Sequence, residues 1–218
     1  MPSDARTAIL SAIRTANGHA TDLSRAQLDY TQIQRTYAQQ SSLSHEEAQA
    51  LLTERLIDYN ASVVPCTADQ VPSAIRNALQ QHNTHRILVP EDFPMHLLPD
   101  SFEITADRNL SPAELDRFDA AVTLGALAIA ETGTIILEGV SGQGRRAAAL
   151  VPDVHICVLN AENIVTNVPE AFARLASAAT LPLTFFSGPS ATADIEMTRI
   201  KGVHGPRHIH ILLLQNVT

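Results

Sequence analysis

Short apolar runs recur along this chain between amphipathic helical segments, and that alternation restricts the folds open to it more than any other feature. Ala61 to Pro65, Arg86 to Val89, Phe102 to Thr105, Asp153 to Leu159 and His208 to Leu214 each read as a strand. Strands that are apolar on both sides must be covered on both sides, which is the property of a mostly parallel sheet with helices packed against it. The helical segments carry their own punctuation. Ser44-His45-Glu46-Glu47 is a capping box, followed by Ala48, Leu51, Leu52 and Leu56 on one helical face. Pro72 opens a helix to about Gln81, Ser111-Pro112-Ala113-Glu114 starts a short one ending near Phe118, and Asn167, Pro169 and Glu170 start another. The predicted architecture is α/β: a three-layer α/β/α domain around a central, mostly parallel sheet.

This domain is expected over residues 44–218, behind a helical N-terminal extension over residues 1–43. In the extension, Ala8, Ile9, Ala12, Ile13 and Ala16 predict an amphipathic helix over residues 4–16. Residues 19–43, rich in Gln, Thr and Ser, predict an arm of low order. With 218 residues, of which 45% are hydrophobic, the chain can bury one substantial core.

Charge excludes one class of partner. Against 23 Asp and Glu stand 15 Lys and Arg, a net charge of -8, and aromatics make up 4% with no Trp. A nucleic acid would find neither a basic surface nor a stacking platform. Met1 to Asn17 contains Asp4, Arg6 and Arg14 and no uninterrupted apolar core, so it does not read as a signal peptide. No run approaches the ~18 apolar residues of a membrane span, and a cytoplasmic location is expected. Cys66 and Cys157 sit far apart inside apolar runs and predict buried thiols. Two distant thiols do not supply the ligand set of an iron–sulfur cluster. Any electron carrier is therefore expected on another chain.

Candidate chemistry concentrates between Leu181 and Arg207. The apolar run Leu181 to Phe186 stops at Ser187-Gly188-Pro189-Ser190. Ser187, Ser190 and Thr192 offer hydroxyls, Gly188 exposes backbone N–H groups, Asp194 lies in the same stretch, and Lys201, His204 and Arg207 supply positive charge. Such a set suits a small carboxylate or a phosphate, and a helix starting at Ser190 would aim its free N–H groups at the same anion. The competing account is a set of Gly and Pro turns whose hydroxyls cap backbone groups. For the cluster as a whole a site is the better account.

Three other stretches bear on it. Glu131-Thr132-Gly133-Thr134 interrupts the apolar stretch from Ala120 to Leu137. A carboxylate there is either paired, hydrogen-bonded or shifted toward its neutral form, or it sits on the rim at a turn. Gly142-Gln143-Gly144-Arg145-Arg146-Ala147 matches a dinucleotide fingerprint, but Pro152 leaves too little room for the helix that would carry a pyrophosphate. A glycine-rich hairpin presenting Arg145 and Arg146 is predicted instead, with both arginines available to a ligand anion, to Glu131 or to water. His208 and His210 share a face and with His204 imitate a metal set, yet no HExxH or cysteine cluster accompanies them, and no metal is expected.

The stretch SGPSATADIE, Ser187 to Glu196, followed closely by GVHGPR, Gly202 to Arg207, resembles the signature of the LUD-domain family, lactate utilization protein C group. Ala128 to Thr134, Gly144-Arg145-Arg146, and Leu150 to His155 also fit it, and the resemblance runs from about Ser111 to the C-terminus. It implies a fold like that of the sugar-isomerase, CoA-transferase and folate cyclo-ligase superfamily. It also implies a role as one subunit of a system that oxidises L-lactate to pyruvate with iron–sulfur partner subunits. In that setting Arg207 would clamp the carboxylate, Ser187, Ser190 or Thr192 would hold the hydroxyl, and His204 or Glu131 would accept its proton. Two alternatives stay open. One is a transferase or ligase acting on a CoA- or phosphate-bearing molecule through Glu131; the other is a non-catalytic metabolite-binding assembly module docked by its N-terminal arm. Glu131 and the Ser187 to Arg207 loop both follow predicted strands and are expected to meet at the strands' carboxyl ends.

Overall fold

The computed structural model describes residues 2–16, 23–178, 180–192, 200–201 and 205–215. The chain divides into two compact units, residues 1–38 and 39–218. The first holds α1 (Pro2–Ala16) and α2 (Leu23–Gln32). α1 is the helix expected over residues 4–16, whereas α2 falls in the stretch expected to be of low order. Its ten residues, LSRAQLDYTQ, are polar on average, and the helical spacing of Leu23, Ala26 and Tyr30 among them is short. Leu, Arg, Ala and Gln are nonetheless good helix formers, and propensity prevails there.

The second unit opens with α3 (His45–Asp58), β1 (Ser62–Cys66), α4 (Val71–Gln81), β2 (Arg86–Pro90) and β3 (Glu103–Asp107). It continues with α5 (Pro112–Leu115), β4 (Ala120–Leu124), β5 (Leu127–Ile129), β6 (Thr134–Leu137), α6 (Arg146–Leu150) and β7 (Val154–Asn160). β8 (Ile164–Val165), α7 (Val168–Arg174), β9 (Thr184–Phe186), β10 (Ala191–Thr192), β11 (Ile200–Lys201) and β12 (His208–Leu214) complete it. The capping boxes at Ser44, Ser111 and Asn167 are formed, each reciprocated by the Glu three residues on.

The central sheet has six strands in the order β1, β12, β7, β4, β2, β3, all parallel. On one face α4 packs Val71, Ile75 and Leu79 against Ile87, Val122, Ile156 and Leu212. Each such side chain, fully buried, contributes roughly 1.5–3 kcal/mol. On the other face α3 and a second sheet, of order β8, β5, β6, β9, bring Leu52, Leu56, Ile135 and Leu137 against Cys157, Leu159, Ile209 and Ile211. α7 and the turn after it cover the outer side of that second sheet with Ala171 and Leu175. A central parallel sheet flanked by helices is the predicted class; the second sheet is an addition to it. It exists because the apolar stretch from Ala120 to Leu137 is cut at Gly125-Ala126. β4 ends there in the central sheet, and β5 turns away to pair with β6 and β8.

Two further expectations are corrected. No helix starts at Ser190: the segment continues as β10, antiparallel to β11. The glycine-rich turn after β6 leads into α6, a five-residue helix rather than the return arm of a hairpin. Three alanines and a leucine make it, and Pro152 confines it.

β1 is an edge strand. Cys66 O accepts from Gln215 N, which turns the backbone of Ser62, Val64 and Cys66 toward β12 and that of Val63 and Pro65 outward. Pro65 has no N–H to present there.

Candidate functional site

The β5–β6 turn and the end of β9 are joined by hydroxyls. Thr134 Oγ1 lies 2.7 Å from Thr132 Oγ1 and 2.7 Å from Ser187 Oγ. The pairing of β6 with β9, Ile135 opposite Phe186, aligns the start of one strand with the end of the other. Glu131 N–H donates to Thr166 O at 3.0 Å and fixes the turn to the segment after β8. Thr134 Oγ1 also lies 3.5 Å from Thr132 O: with its proton turned there, Thr132 and Ser187 both donate inward, and with it turned to one of those hydroxyls, that end has a proton to donate outward while the opposite end keeps a lone pair. Thr134 is buried, whereas Thr132 and Ser187, the two ends, are exposed.

The last turn of α3 seats both loops. Gly133 has φ +59, and a Cβ built on it would lie 2.8 Å from Arg55 Cβ; Gly188 has φ +81, and its Cβ would lie 2.5 Å from Tyr59 Cβ. Arg55 and Tyr59 are four residues apart on one face of the helix axis. No other residue type fits so close to a helix in the left-handed region. Glu131 itself is exposed. The apolar surroundings read from the sequence belong to β4, β5 and β6, not to the carboxylate, which projects from the rim of the turn.

Several predicted site residues are committed elsewhere. Arg145 Nε and Nη2 donate to Asp107 at 2.6 and 2.9 Å, and Nη2 also donates to Leu110 O. Burial pushes the Asp107 carboxyl up, but the Arg145 guanidinium and the Leu110 N–H outweigh it and hold the group below its usual range. Gly142 N–H donates to Asp92 Oδ1 at 2.8 Å, and Leu124 N–H to Gly142 O at 2.8 Å. The glycine-rich turn therefore lies over the carboxyl ends of β2 and β4. Chain connections diverge there, rightward to β3 and leftward to β7, so it is the crevice in which open α/β sheets usually take a ligand. In this chain its own turn fills it. Arg146 is exposed beside that turn.

Arg207 pairs with Asp153, Nε to Oδ1 at 2.5 Å and Nη2 to Oδ2 at 2.7 Å, and this guanidinium holds the Asp153 carboxyl below its usual range. Both residues line a 360 Å³ cleft with His82, Asp119 and His208 at the amino ends of the central strands. There His82 Nε2 meets His210 Nε2 at 2.8 Å, and the His82 and His208 rings stack at 4.0 Å. Burial, helped by His82 and His208, pushes His210 down to about 4. Among the described residues no group of three or more His, Cys, Asp or Glu converges as metal ligands would.

The structure thus brings Thr132 together with Ser187 and Gly188, and Ser190 N–H donates to Pro206 O at 2.8 Å, beside Arg207. Thr192 is placed in β10. Arg145 and Arg146 lie with the other, carboxyl edge of the central sheet. Asp194 and His204 lie outside the described residues. Glu131 and Ser187 do follow parallel strands, β5 and β9, but of the second sheet. That places them near the amino edge of the central one, where Phe186 packs 5.0 Å from the ring of His155. Sequence reasoning passed over Thr134, Arg55 and Tyr59. Thr134 sits two residues beyond Thr132 across Gly133, and the pairing of two threonines about a glycine was the available signal.

The LUD domain family matches residues 4–214. A protein named lactate utilization protein C from Deinococcus radiodurans is 42% identical over 181 residues, covering 82% of this chain and 84% of the relative. One of the same name from Bacillus pumilus is 29% identical over 195 residues, covering 78% and 80%. The crystal structure of a DUF162 family protein from Deinococcus radiodurans superposes with a TM-score of 0.70 at 39% identity, covering 79% of this chain and 99% of that one.

Proposed function

The chain belongs to the LUD domain family, and from that premise we propose that it is a subunit of a system oxidising L-lactate to pyruvate with iron–sulfur partner subunits. The coarser statement, a role in lactate utilization, rests directly on the relatives that carry that name. The finer one rests on the Thr132–Thr134–Ser187 hydroxyl chain, the observation that carries the reading. With Thr134 donating to one of its hydroxyl neighbours, the chain offers an outward proton to a carboxylate oxygen of a 2-hydroxy acid and an outward lone pair to its hydroxyl. Glu131, an exposed carboxylate on the same turn, is the group we assign to take up the hydroxyl proton, with His204 as the second candidate. Oxidation of lactate releases two electrons and two protons; the hydroxyl proton goes to the base and the proton from C2 to solvent. Cys66 and Cys157 are both buried, and burial pushes the Cys157 thiol up to about 12, so the electrons are assigned to clusters on the partner subunits.

The test is lactate-dependent dye reduction under anaerobic conditions, comparing the purified recombinant chain with the same chain gently recovered from its native cells. Turnover in the recovered material alone, accompanied by iron, is the expected result. Turnover in neither preparation would remove the lactate reading.

A further inference from the structure

Resting on the reading of the hydroxyl chain as a site for a small carboxylate, a cation is still wanted beside it: of the arginines expected from the sequence, Arg145 and Arg207 are occupied, and Arg146 lies with the carboxyl edge of the central sheet, away from these hydroxyls. Arg145 is bound at two points by Asp107, whose side chain is 3% exposed, and is further held by Leu110 O. Arg207 is bound at two points by Asp153. Releasing either would strand a carboxylate, and for Asp107 a buried one.

Arg55 differs in place and in partners. It leaves α3 directly beneath the turn that carries Thr132 and Thr134, since a methyl group at Gly133 would touch its Cβ. Its side chain is 42% exposed, and among the described residues its guanidinium pairs with Glu54 at 3.3 Å and Asp58 at 3.8 Å, whose side chains are 62% and 64% exposed. Single-point surface pairs of this kind contribute little and exchange readily with water. Glu54 and Asp58 would be resolvated at once if the guanidinium moved. A planar guanidinium is also the group best matched to a carboxylate.

We propose that Arg55 is the cation of this site: its guanidinium leaves Glu54 and Asp58 and pairs with the carboxylate of a small 2-hydroxy acid held at Thr132, Thr134 and Ser187. The close approach of α3 to Gly133 then has a function besides packing, because it brings a mobile positive charge to a turn whose own charged residue, Glu131, is negative. The ligand class follows from the parts. One guanidinium and a short run of hydroxyls fit a monocarboxylate with one neighbouring hydroxyl. They do not fit a polyphosphate, which would demand several cations.

The experiment titrates the full-length chain with L-lactate and with its neutral amide, L-lactamide, by calorimetry, for the wild type, Arg55→Gln, Arg55→Lys and Ser187→Ala. The wild type is expected to prefer lactate. Arg55→Gln should lose about tenfold or more in lactate affinity while holding lactamide as before, and Arg55→Lys should keep part of the preference. Ser187→Ala should weaken both ligands. Urea midpoints for the four proteins establish that all are folded. If the wild type and Arg55→Gln bind lactate equally while Ser187→Ala does not, Arg55 is not the cation and the hydroxyl site stands. If the wild type binds no small carboxylate, whether alone or in the complex recovered from cells, the carboxylate site and the role of Arg55 fall together.

Discussion

Thr134 Oγ1 and Ser187 Oγ lie 2.7 Å apart across 53 positions of sequence, and this contact is where two separate motifs of the chain become one surface. Thr134→Val keeps the shape of the buried side chain and removes its contacts with the Thr132 and Ser187 hydroxyls and with Thr132 O. Thr132 and Ser187 are exposed and recover their bonds from water, so the expected loss is only about 1 kcal/mol in urea-unfolding free energy. Lactate binding should fall as far as it does in Ser187→Ala. A variant that binds normally would show that the hydroxyls only tie two loops together.

Gly188→Ala should be far more damaging. Its φ of +81 is in the left-handed region and the new methyl would stand 2.5 Å from Tyr59 Cβ, which together imply a loss of about 2–3 kcal/mol. Because the contact is with Cβ and the carbonyl oxygen of Tyr59, Tyr59→Ala should not relieve it. Urea midpoints of the two single variants and the double variant measure this.

The two arginine pairs separate structure from surface. Arg145→Ala leaves Asp107 buried and without its cation, at a cost of about 3 kcal/mol. Arg207→Ala removes a pair whose side chains are 58% and 39% exposed, at a cost of roughly 0–1 kcal/mol. Chemical denaturation of both variants at neutral pH should show the difference directly.

Acid should weaken the fold in a defined window. His155 is buried, accepts or donates one bond with Thr123 at 2.9 Å, and is pushed down to about 4 by burial; His210 is pushed down to about 4 as well. In the unfolded chain both titrate near the ordinary histidine value of about 6.5. Between those values the unfolded state binds more protons, so stability is full above about pH 6.5 and falls as pH drops toward 4, by up to about 1.4 kcal/mol per unit for each group. The depressed carboxylates Asp107, Asp119 and Asp153 act in the same direction, but only below about pH 4.5. Unfolding free energies from pH 7.5 to 4.5 check this, and His210→Asn should flatten part of the slope.

What could be read before the structure is what depends on near neighbours. The capping boxes at Ser44, Ser111 and Asn167 each join residues three apart, and the strands of the central sheet announce themselves by being apolar on both sides. The second sheet was not legible, because only the pairing of β5, β6 and β9 reveals that the stretch from Ala120 to Leu137 is three strands with two destinations. The same limit applies at the site. Arg145 looks free for a ligand until Asp107, 38 residues away, is found beside it. Whether Glu131 is a paired carboxylate or a rim residue stays open until the turn that carries it is seen to face outward. The sheet contact between β6 and β9 decides which hydroxyls meet, and no local spacing encodes it.

The proline in β1 has a consequence for the molecule in a crowded solution. A sheet rim is an invitation to any passing extended chain, and a row of free amides is what turns a chance collision into a growing fibre. Here Val63 offers the one outward amide within Ser62–Cys66, and Pro65 interrupts the row after it. Substituting Pro65 would leave the sheet's interior untouched and remove its guard against self-association.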